Sequence, residues 1–409
     1  MKILVVCQYY YPEPFRISDI CETLVKNGHE VTVLTGLPNY PEGRILDDYR
    51  HGKKRKETIN GVKIIRCFEI GRGKSHLKLF LNYFSYAVSA TLKALFMKEE
   101  FDVVLVNQLS PVMMGIPAMA YKKKHHKKIL FYCLDLWPDS LAAGGIKEDS
   151  SIYKLFYKIS RWIYSSADII LVTSSMFKDY FENTLKINNI NIKHLPQYAE
   201  DLFVQSENNT VVQSVAISES KIYNFVFAGN IGDMQSVDTI VKAANELREF
   251  TNIIFHIVGD GSKSDECKRI AHDLRASNVL FHGRRSLEEM PYFYGMADAM
   301  LITLKDNKTL SYTLPGKVQS YMAAGKPIIG AINGEARRVI EEADCGLCCI
   351  AEDYKGLADL ILEFCNSDKK EQMVANSQRF YLENYSKERF MTVLEEALIN
   401  LEEKQHVQR

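Results

Sequence analysis

One lysine stands at a position where it could bind an anion. The stretch SYTLPGKVQSYMAAGKPIIGA (residues 311–331) predicts a helix that begins near Gly316, behind a loop stiffened by Pro315. Lys317 then lies in the first turn, where a cation opposes the helix dipole. This placement makes sense if the exposed N–H groups of that turn bind a phosphate. Ser320 follows at i+3 on the same face. The alternative is an exposed lysine without a ligand.

Two glycine-containing loops point to the same chemistry. In FAGNIGDMQ, Gly229 and Gly232 stand between a predicted strand and a predicted helix, and VGDG (residues 258–261) places Gly259 in the same way. Glycines at such positions allow backbone N–H groups to approach a phosphate closely. The chain contains neither a complete dinucleotide fingerprint nor a P-loop motif. Each loop taken singly is therefore also compatible with glycines that serve only the turn.

Two loops of the first half carry polar groups that suit a polyhydroxyl ligand. CLDLWPDS places Asp135 and Asp139 just past a predicted strand, with Trp137 between them. YYYPEPFR offers Glu13 and Arg16 beside three tyrosines at the mouth of the first strand. Acids, a cation and an indole at strand ends suit the recognition of a sugar. The alternative is that Asp139 caps the next helix while Trp137 packs in the core.

The elements that must position these loops alternate between strands and helices. Apolar runs such as KILVVCQ, DVVLVNQ and YNFVFAGN predict strands, and the amphipathic stretches between them predict helices. This alternation predicts an α/β fold with parallel, doubly wound sheets, which bind ligands at the carboxyl ends of their strands. The polar stretch 204–221 interrupts the pattern, which then restarts. We therefore expect two similar domains, residues 1–205 and 206–385, that face a cleft.

The composition favours a soluble, cytoplasmic protein with an anionic partner. The 409 residues carry no net charge, but residues 1–205 contain 28 basic and 21 acidic side chains. This excess favours a phosphate-bearing molecule or a membrane surface, unless it is ordinary surface scatter; we expect no nucleic-acid partner. Nine scattered cysteines fit reduced thiols rather than a metal site. No apolar run reaches the roughly 18 residues of a membrane-spanning helix, and the N-terminus predicts a strand rather than a signal peptide.

Two segments of the first half could contact a membrane from one side. Residues 77–98 form a long apolar and aromatic stretch, and residues 122–128 (KKKHHKK) are all basic. Together they suit peripheral binding of a helix to an anionic membrane surface. The alternative is a helix buried under the first domain and a solvated run of charges.

The loops taken together resemble the GT-B glycosyltransferases of family 4, and especially bacterial members that build capsule, O-antigen and other surface polysaccharides. The residues that carry the likeness run from the first loop to the last predicted helices. They are YYYPEPFRISDICETLVKNGHEVTVLTGLPNYPEG (9–43), DLWPDS (135–140), FAGNIGDMQSVD (227–238), VGDG (258–261), FHGRRSLEEMPYFYGMADAML (281–301), LPGKVQSYMAAGKPIIGA (314–331) and GEARRVIEEADCGL (334–347). As an ordered set these motifs are specific for the family.

The resemblance implies two Rossmann-like domains with the acceptor on the N-terminal side and the nucleotide sugar on the C-terminal side. It implies that the final segment, residues 386–409, crosses back to the first domain. The reaction would retain the anomeric configuration and need no metal or other cofactor. The donor would be a nucleotide diphosphate sugar, with a UDP-linked, N-acetylated amino sugar the commonest case, and the acceptor a lipid-linked saccharide.

The resemblance also assigns site residues. The diphosphate would be held by the glycine-rich loop, by Lys317 and by backbone N–H groups just before it. The residues implied for nucleotide-sugar binding are Gly229, Asn230, Gly232, Gln235, Gly259, Arg284, Tyr312, Thr313, Pro315, Gly316 and Ser320. Asp135 and Lys317 are the implied catalytic residues. Glu13, Arg16 and Asp139 are the implied acceptor-side residues.

The chain departs from the family pattern in four places. The first loop is glycine-rich in many members, and here it is YPEPFR. Many members carry two glutamates eight positions apart, and here those positions are Tyr312 and Ser320. The hydroxyl groups of Tyr312 and Ser320 would therefore bind the nucleotide where many relatives use carboxylates. A histidine often stands directly before the position of Asp135, which makes Asp135 the best polar candidate beside the reacting sugar. The loop 230–235 lacks the Arg and Lys of many members, which leaves Lys317 as the main cation.

Two other classes of protein deserve comparison with a transferase. A non-hydrolysing nucleotide-sugar epimerase shares the two-domain architecture but acts without an acceptor, and the DLWPDS and PGKVQSYMAAGKP motifs favour transfer. A non-catalytic sugar-binding protein would require an export signal or the loss of the diphosphate site, and the sequence meets neither condition.

Overall fold

The computed structural model describes residues 1–73, 75–204 and 221–407, without the side chains of residues 76, 143 and 404–407. The chain divides into two compact units. The N-terminal unit consists of Met1–Leu195 together with the segment that begins at Met391, and the C-terminal unit is Pro196–Phe390. The domain boundary expected near residue 205 and most of the polar stretch 204–221 lie outside the described residues.

The N-terminal unit is built on an eight-stranded sheet. Its strands are β1 (Lys2–Val6), β2 (Glu30–Thr35), β3 (Lys56–Ile59), β4 (Val62–Arg66), β5 (Val103–Gln108), β6 (Lys128–Cys133), β7 (Ile169–Val172) and β8 (Asn191–His194). They are ordered β3-β4-β2-β1-β5-β6-β7-β8, and all neighbours are parallel except the antiparallel pair β3–β4. Every residue of β5 is buried, as an apolar strand covered on both faces requires.

Helices connect the parallel strands of this unit. They are α1 (Ile17–Lys26), α2 (His76–Phe96), α3 (Ile116–His125), α4 (Asp139–Ala143), α5 (Ser151–Tyr164) and α6 (Met176–Asp179). None of the helices in the described ranges is both long enough and apolar enough to cross a bilayer.

The C-terminal unit repeats the architecture with six parallel strands. They are β9 (Tyr223–Ala228), β10 (Ile253–Val258), β11 (Val279–Gly283), β12 (Ala299–Thr303), β13 (Ile328–Ala331) and β14 (Gly346–Cys349). Their order, β11-β10-β9-β12-β13-β14, is the strand order of the Rossmann fold. The predicted α/β fold with two Rossmann-like, doubly wound sheets is confirmed.

The helices of this unit pack on both faces of its sheet. They are α7 (Val237–Glu246), α8 (Ser264–Leu274), α9 (Met290–Met296), α10 (Lys308–Ser311), α11 (Gly316–Ala323), α12 (Gly334–Glu342), α13 (Tyr354–Asn366) and α14 (Lys370–Asn384). Alternate residues of one strand enter opposite cores: Val226 packs with the core that contains α11, whereas Phe225 and Phe227 pack with the core that contains α7. This alternation is the period of two that a strand imposes on its side chains.

The last helix, α15 (Lys387–Val407), returns the chain to the N-terminal unit. Leu394, Leu398 and Leu401 recur at helical spacing and are buried, so one face of the helix is part of a core. The Asn27 amide donates a hydrogen bond to the Glu395 carboxylate (2.7 Å), which ties the helix to the end of α1.

Neighbouring residues of α15 allow a matched test of this packing. Leu398 is fully buried and Ile399 is 40% exposed. We expect Leu398→Ala to lower the free energy of unfolding by about 2–5 kcal/mol, because it removes buried methyl groups and leaves a cavity. Ile399→Ala is expected to change it by about 0.5 kcal/mol or less. Urea unfolding of both variants measures the difference, and equal losses would contradict the assigned face.

Candidate active site

The strand order of the C-terminal sheet reverses between β9 and β12. The connections that leave these two strands run in opposite directions, which opens a crevice at their carboxyl ends. The loop after β9 contains residues 229–236, and the loop after β12 leads to α10 and α11. The residues predicted to bind the nucleotide sugar fall mainly in two places. Gly229, Asn230, Gly232 and Gln235 lie in the first loop, and Tyr312, Thr313, Pro315, Gly316 and Ser320 lie between the end of α10 and the second turn of α11.

Gly229 and Gly259 pack against each other at neighbouring strand ends. The Gly229 N–H donates to the Val258 carbonyl (2.9 Å), and the Gly259 N–H donates to the Gly283 carbonyl (2.8 Å). A β-carbon at position 259 would lie 1.8 Å from the Gly229 carbonyl oxygen. Both residues also have positive φ angles, +148° and +139°. Only glycine therefore fits at either position, and the backbone at this edge stays open to a ligand.

Lys317 lies directly beside Gly229. A β-carbon at position 229 would approach the Lys317 Cε to 2.3 Å, so the glycine leaves space for the lysine side chain. The ammonium stands 3.9 Å from the centroid of the Phe227 ring, a cation–π distance. No carboxylate of the described part of the chain pairs with it. Burial lowers the pKa of Lys317 to about 7, because the cation is desolvated without a counter-ion.

Helix α11 is fixed to β9 through Tyr321. The buried Tyr321 hydroxyl accepts a hydrogen bond from the Ala228 N–H and donates one to the Ala228 carbonyl, both 3.2 Å. Pro315 is the N-cap, and no side chain caps the N–H groups that follow it. The Ser320 hydroxyl donates to the Gly316 carbonyl (3.1 Å) and keeps its lone pairs for a donor.

The loop 229–236 is closed by its own side chains. The Gln235 side-chain oxygen accepts hydrogen bonds from the Gly232 N–H (3.2 Å) and from the Asn230 amide (3.3 Å). The Thr303 hydroxyl donates to the Gln235 carbonyl (2.6 Å), which fastens the loop to the end of β12. In this arrangement Asn230 and Gln235 shape the loop.

Two lysines at this edge were not among the predicted site residues. Lys305 approaches Asp233 to 2.8 Å and Lys263 approaches it to 3.7 Å. Both lie in loops that follow strands of the parallel sheet, and this position was the signal that could have found them. Asp233 offsets the charge of Lys305, and Glu266 (2.7 Å) offsets that of Lys263. Lys317 differs from both in having no carboxylate partner among the described residues.

Three further predicted residues lie at the same edge. Arg284 follows β11 and is exposed, and Tyr312 lies partly exposed in the turn between α10 and α11. The Thr313 hydroxyl donates to the Leu310 carbonyl (2.8 Å) and so stabilises that turn. Groups of three His, Cys, Asp or Glu side chains that could hold a metal ion are absent from the described residues.

In the N-terminal unit, Asp135 is held in place by two serines. Its carboxylate accepts hydrogen bonds from the hydroxyls of Ser110 and Ser140 (2.6 Å for Ser140). Burial raises the pKa of Asp135. Trp137 is buried against Phe156 and donates to the Ser110 hydroxyl (2.9 Å), so the indole packs in the core and supports the serine.

Asp139 is also a buried residue. Its side chain is 4% exposed, and its carboxylate accepts hydrogen bonds from the hydroxyls of Tyr153 and Tyr180 (3.0 Å for Tyr180). These contacts hold the first turn of α4 against α5 and the end of α6. The geometry therefore favours an anchoring role over contact with an acceptor.

Glu13 joins the loop after β1 to the loop after β2. Its carboxylate accepts hydrogen bonds from the backbone N–H groups of Asn39 (2.8 Å) and Tyr40 (2.7 Å), and burial raises its pKa to about 7. Arg16 lies partly exposed just before α1, close enough to Tyr132 of β6 for an electrostatic interaction.

A buried polar cluster next to Glu13 was missed by the sequence reasoning. Glu69 is fully buried and accepts hydrogen bonds from the amides of Gln8 (3.4 Å), Asn39 and Asn82 (3.2 Å). Burial, together with the nearby Glu13, raises its pKa well above the usual range. Gln8 follows β1 and Glu69 follows β4. Their positions just past the carboxyl ends of strands were therefore the signal that could have identified them.

Helix α2 presents one apolar face to solvent. Asn82, Tyr86, Ala90 and Ala94 are buried on one side. Eight exposed apolar residues on the other side, here called the α2 stripe, are Leu77, Phe80, Leu81, Phe84, Val88, Leu92, Leu95 and Phe96. The segment 77–98 is therefore neither fully buried nor fully solvated.

The basic run 122–128 is largely engaged within the unit. Lys122 and Lys128 pair with Asp168 at 2.7 Å and 3.1 Å. Lys124 donates hydrogen bonds to two carbonyls at the end of α2. Three of the five lysines of this run therefore serve local structure, and Lys124 does so at the end of the helix that carries the α2 stripe.

Two Rossmann-like units in one chain, with glycine-rich strand ends at the order reversal of the second sheet, define the GT-B class. Comparison with known families gives the same result. The model described as "Glycosyltransferase Family 4" matches residues 16–197, and the model described as "Glycosyl transferases group 1" matches residues 212–380. Together they cover most of both units, and the chain belongs to the GT-B glycosyltransferases.

Individual relatives agree with this assignment. A probable glycosyltransferase, WbjE of Pseudomonas aeruginosa, is 27% identical over 74% of this chain and 76% of the relative. A putative colanic acid biosynthesis glycosyl transferase, WcaI of Escherichia coli (strain K12), is 24% identical over 88% of each chain. Among solved structures, Anabaena HepE in complex with UDP superposes with a TM-score of 0.70 at 14% identity, over 98% of this chain and 100% of HepE. The last likeness shows the shared fold.

The desolvated Lys317 makes stability depend on pH. Its pKa is about 7 in the folded chain and 10.5 in its unperturbed state. Below pH 7 both states are protonated and the folded state bears the full cost of the buried cation. As the pH rises from 7 to 10.5 the folded state releases its proton first, and that cost diminishes. We expect Lys317→Met to stabilise the protein most below pH 7, by an amount that shrinks towards pH 10.

Urea unfolding of the wild type and of Lys317→Met at about pH 6 and about pH 9.5 measures this difference. Lys355→Met, at an exposed position of α13, is the matched control. A stability gain that is the same at both pH values would contradict the desolvation of Lys317.

Proposed function

We propose that the chain transfers a sugar from a nucleotide diphosphate to a lipid-linked saccharide during the synthesis of a surface polysaccharide. The observation that carries the proposal is the Lys317 ammonium, which has no carboxylate partner in the part of the chain that the structure describes and lies beside Gly229 at the order reversal of the sheet. The UDP complex of HepE and the colanic acid relative support a UDP-linked donor and a polysaccharide product. The transferred sugar is taken to be an N-acetylated amino sugar, as the family resemblance implies.

The groups at this edge match the charge that develops during transfer. The bond between the anomeric carbon and the diphosphate oxygen breaks, and the diphosphate keeps the electron pair. A hydroxyl oxygen of the acceptor bonds to the anomeric carbon and releases its proton to the departing diphosphate, on the face from which that group left, so configuration is retained. Lys317 and the uncapped N–H groups at the start of α11 are preorganised donors for the growing negative charge.

The low pKa of Lys317 suits this role. Burial without a carboxylate partner among the described residues holds the pKa of the ammonium at about 7. A bound diphosphate supplies the missing negative charge and raises that pKa, so the lysine is cationic when the donor is present. Charge neutralisation of this kind requires no metal ion, in keeping with the metal-independent reaction of this proposal.

Ser320 and Tyr312 extend the donor site from the diphosphate to the nucleoside. Ser320 lies one turn beyond Lys317 on the same helix, and its oxygen can still accept a hydrogen bond from a ribose hydroxyl. On the acceptor side, two serine hydroxyls orient Asp135 just past the carboxyl end of β6. Asp135 would contact the reacting sugar and Arg16 the acceptor.

Removal of the Lys317 ammonium tests the proposal. We expect Lys317→Ala to lower kcat for acceptor-dependent release of UDP from a UDP-sugar by about 10²–10³-fold, because one preorganised donor is lost. Lys355→Ala is the control and is expected to retain wild-type turnover. Near wild-type turnover in Lys317→Ala would refute the role of this lysine. Conversion of the UDP-sugar into its epimer without acceptor and without net release of UDP would favour an epimerase.

The α2 stripe supplies the membrane contact of this proposal. An apolar helix face of this length suits insertion at the boundary of headgroups and acyl chains, where a lipid-linked acceptor resides. The protein would therefore act at the cytoplasmic face of the membrane as a peripheral enzyme, with α2 as its point of attachment.

Vesicle flotation measures this contact. We expect the wild type to float with vesicles of phosphatidylglycerol and phosphatidylcholine, and Phe84→Ser/Val88→Ser to lose most of that binding. Val374→Ser/Leu382→Ser, at exposed apolar positions of α14, is the matched control and is expected to float like the wild type. Equal flotation of both double variants would exclude the α2 stripe.

A further inference from the structure

The loops after β2 and β4 enclose a groove in the N-terminal unit. Its volume is about 480 Å³. Five basic side chains line it, namely Arg44, Arg50, His51, Arg55 and Lys78. Its lining contains no acidic residue. A concave surface lined by one sign of charge concentrates ligands of the opposite sign.

Most of this charge is not offset within the unit. Arg50 forms an ion pair with Asp47 (2.8 Å) at the rim. Arg44, Arg55 and Lys78 have no carboxylate partner among the residues that the structure describes. Guanidinium groups bind phosphate oxygens in bidentate geometry. The groove therefore has the charge and the donor chemistry of a phosphate site.

One wall of the groove is apolar and continues onto helix α2. Phe68 and Ile70 line the groove and are 55% and 38% exposed. Their backbone runs along α2: the Ile70 N–H donates to the Ser85 hydroxyl (2.9 Å), the Asn82 amide donates to the Ile70 carbonyl (2.6 Å), and the Ser89 hydroxyl donates to the Phe68 carbonyl. The segment that contains Phe68 and Ile70 thus connects the groove to helix α2, whose exposed side carries the α2 stripe.

We propose that this groove binds the phosphate-bearing headgroup of the lipid that carries the acceptor saccharide, with the hydrocarbon chain along the α2 stripe. The inference rests on the proposed function for the existence of such an acceptor. Cations beside an apolar stripe match an amphiphile whose phosphates adjoin its hydrocarbon. Lys122 and Lys128 of the basic run do not supply these cations, because both pair with Asp168.

The position of the groove agrees with this assignment. It lies at the carboxyl edge of the sheet, as Asp135 does, since both follow parallel strands. Three strand spacings separate β2 from β6 and four separate β4 from β6, which corresponds to roughly 14–19 Å. A headgroup in the groove leaves this distance for the sugars that link it to the reacting hydroxyl.

Binding of short prenyl compounds to the full chain tests the inference. The probes are farnesyl diphosphate, farnesol and inorganic diphosphate, and the measurement is the Kd by calorimetry. We expect farnesyl diphosphate to bind at least about tenfold more tightly than either of the others, because only it contacts both the cations and the apolar wall. Equal affinity for inorganic diphosphate would reduce the groove to a plain anion site, and equal affinity for farnesol would reduce it to an apolar one; either result overturns the proposal.

Variants locate the binding. Arg44→Gln/Arg55→Gln is expected to weaken farnesyl diphosphate at least about tenfold, as the loss of charged hydrogen bonds requires. Lys78→Gln is expected to weaken it to a smaller extent. Lys147→Gln/Lys154→Gln removes the same charge from exposed positions elsewhere in the unit and is expected to bind normally. Equal weakening by this control would show that net charge, not the groove, governs binding.

Parallel UDP titrations separate the two proposals. All variants of the groove are expected to bind UDP within about twofold of the wild type, because the donor residues belong to the other unit. A wild type that binds UDP but not farnesyl diphosphate refutes the groove and leaves the transferase intact. A wild type that binds farnesyl diphosphate but neither binds UDP nor turns over UDP-sugars refutes the proposed function.

Discussion

The C-terminal unit depends on the steric fit between Lys317 and Gly229. The reversal of strand order separates the loops after β9 and β12 and leaves their backbone groups facing one crevice. Lys317 enters that crevice over Gly229, where any β-carbon would collide with it. Tyr321 holds the helix that carries Lys317 to the end of β9. No carboxylate of the described ranges pairs with the ammonium, so the fold bears the cost of a desolvated cation that an anionic donor can relieve.

The N-terminal unit buries acidic groups where the C-terminal unit buries a cation. Its central edge buries two carboxyl groups, Glu13 and Glu69, inside networks of backbone N–H and side-chain amide donors. These networks tie the loops of three neighbouring strands together. Basic side chains lie instead in the groove beside α2. The unit thus pairs a rigid polar edge with a basic, partly apolar flank, an arrangement that suits an acceptor with sugars at one end and a lipid phosphate at the other.

Much of the fold and part of the site could be predicted from sequence. Long apolar runs predicted strands such as β1, β5 and β9. The alternation of these strands with amphipathic helices predicted the doubly wound sheets. The short strands β3 and β8 escaped notice because they are mostly exposed edge strands without an apolar run. Lys317 and the glycine loops were identified through helix-terminus and turn chemistry. Lys263, Lys305 and Glu69 were missed because their partners are distant in sequence and meet only across the sheet.

The sequence by itself determined the architecture, the glycine positions and the lysine at the start of α11, because these follow from local periodicity and backbone stereochemistry. Tertiary structure alone decided which polar groups remain available. It buried Asp139 under two tyrosines, closed Gln235 onto its own loop and engaged three lysines of the basic run 122–128. It also left Arg44, Arg55 and Lys78 of the groove without a carboxylate partner among the residues that the structure describes. Such outcomes depend on which side chains meet after folding, and residue type carries no information about them.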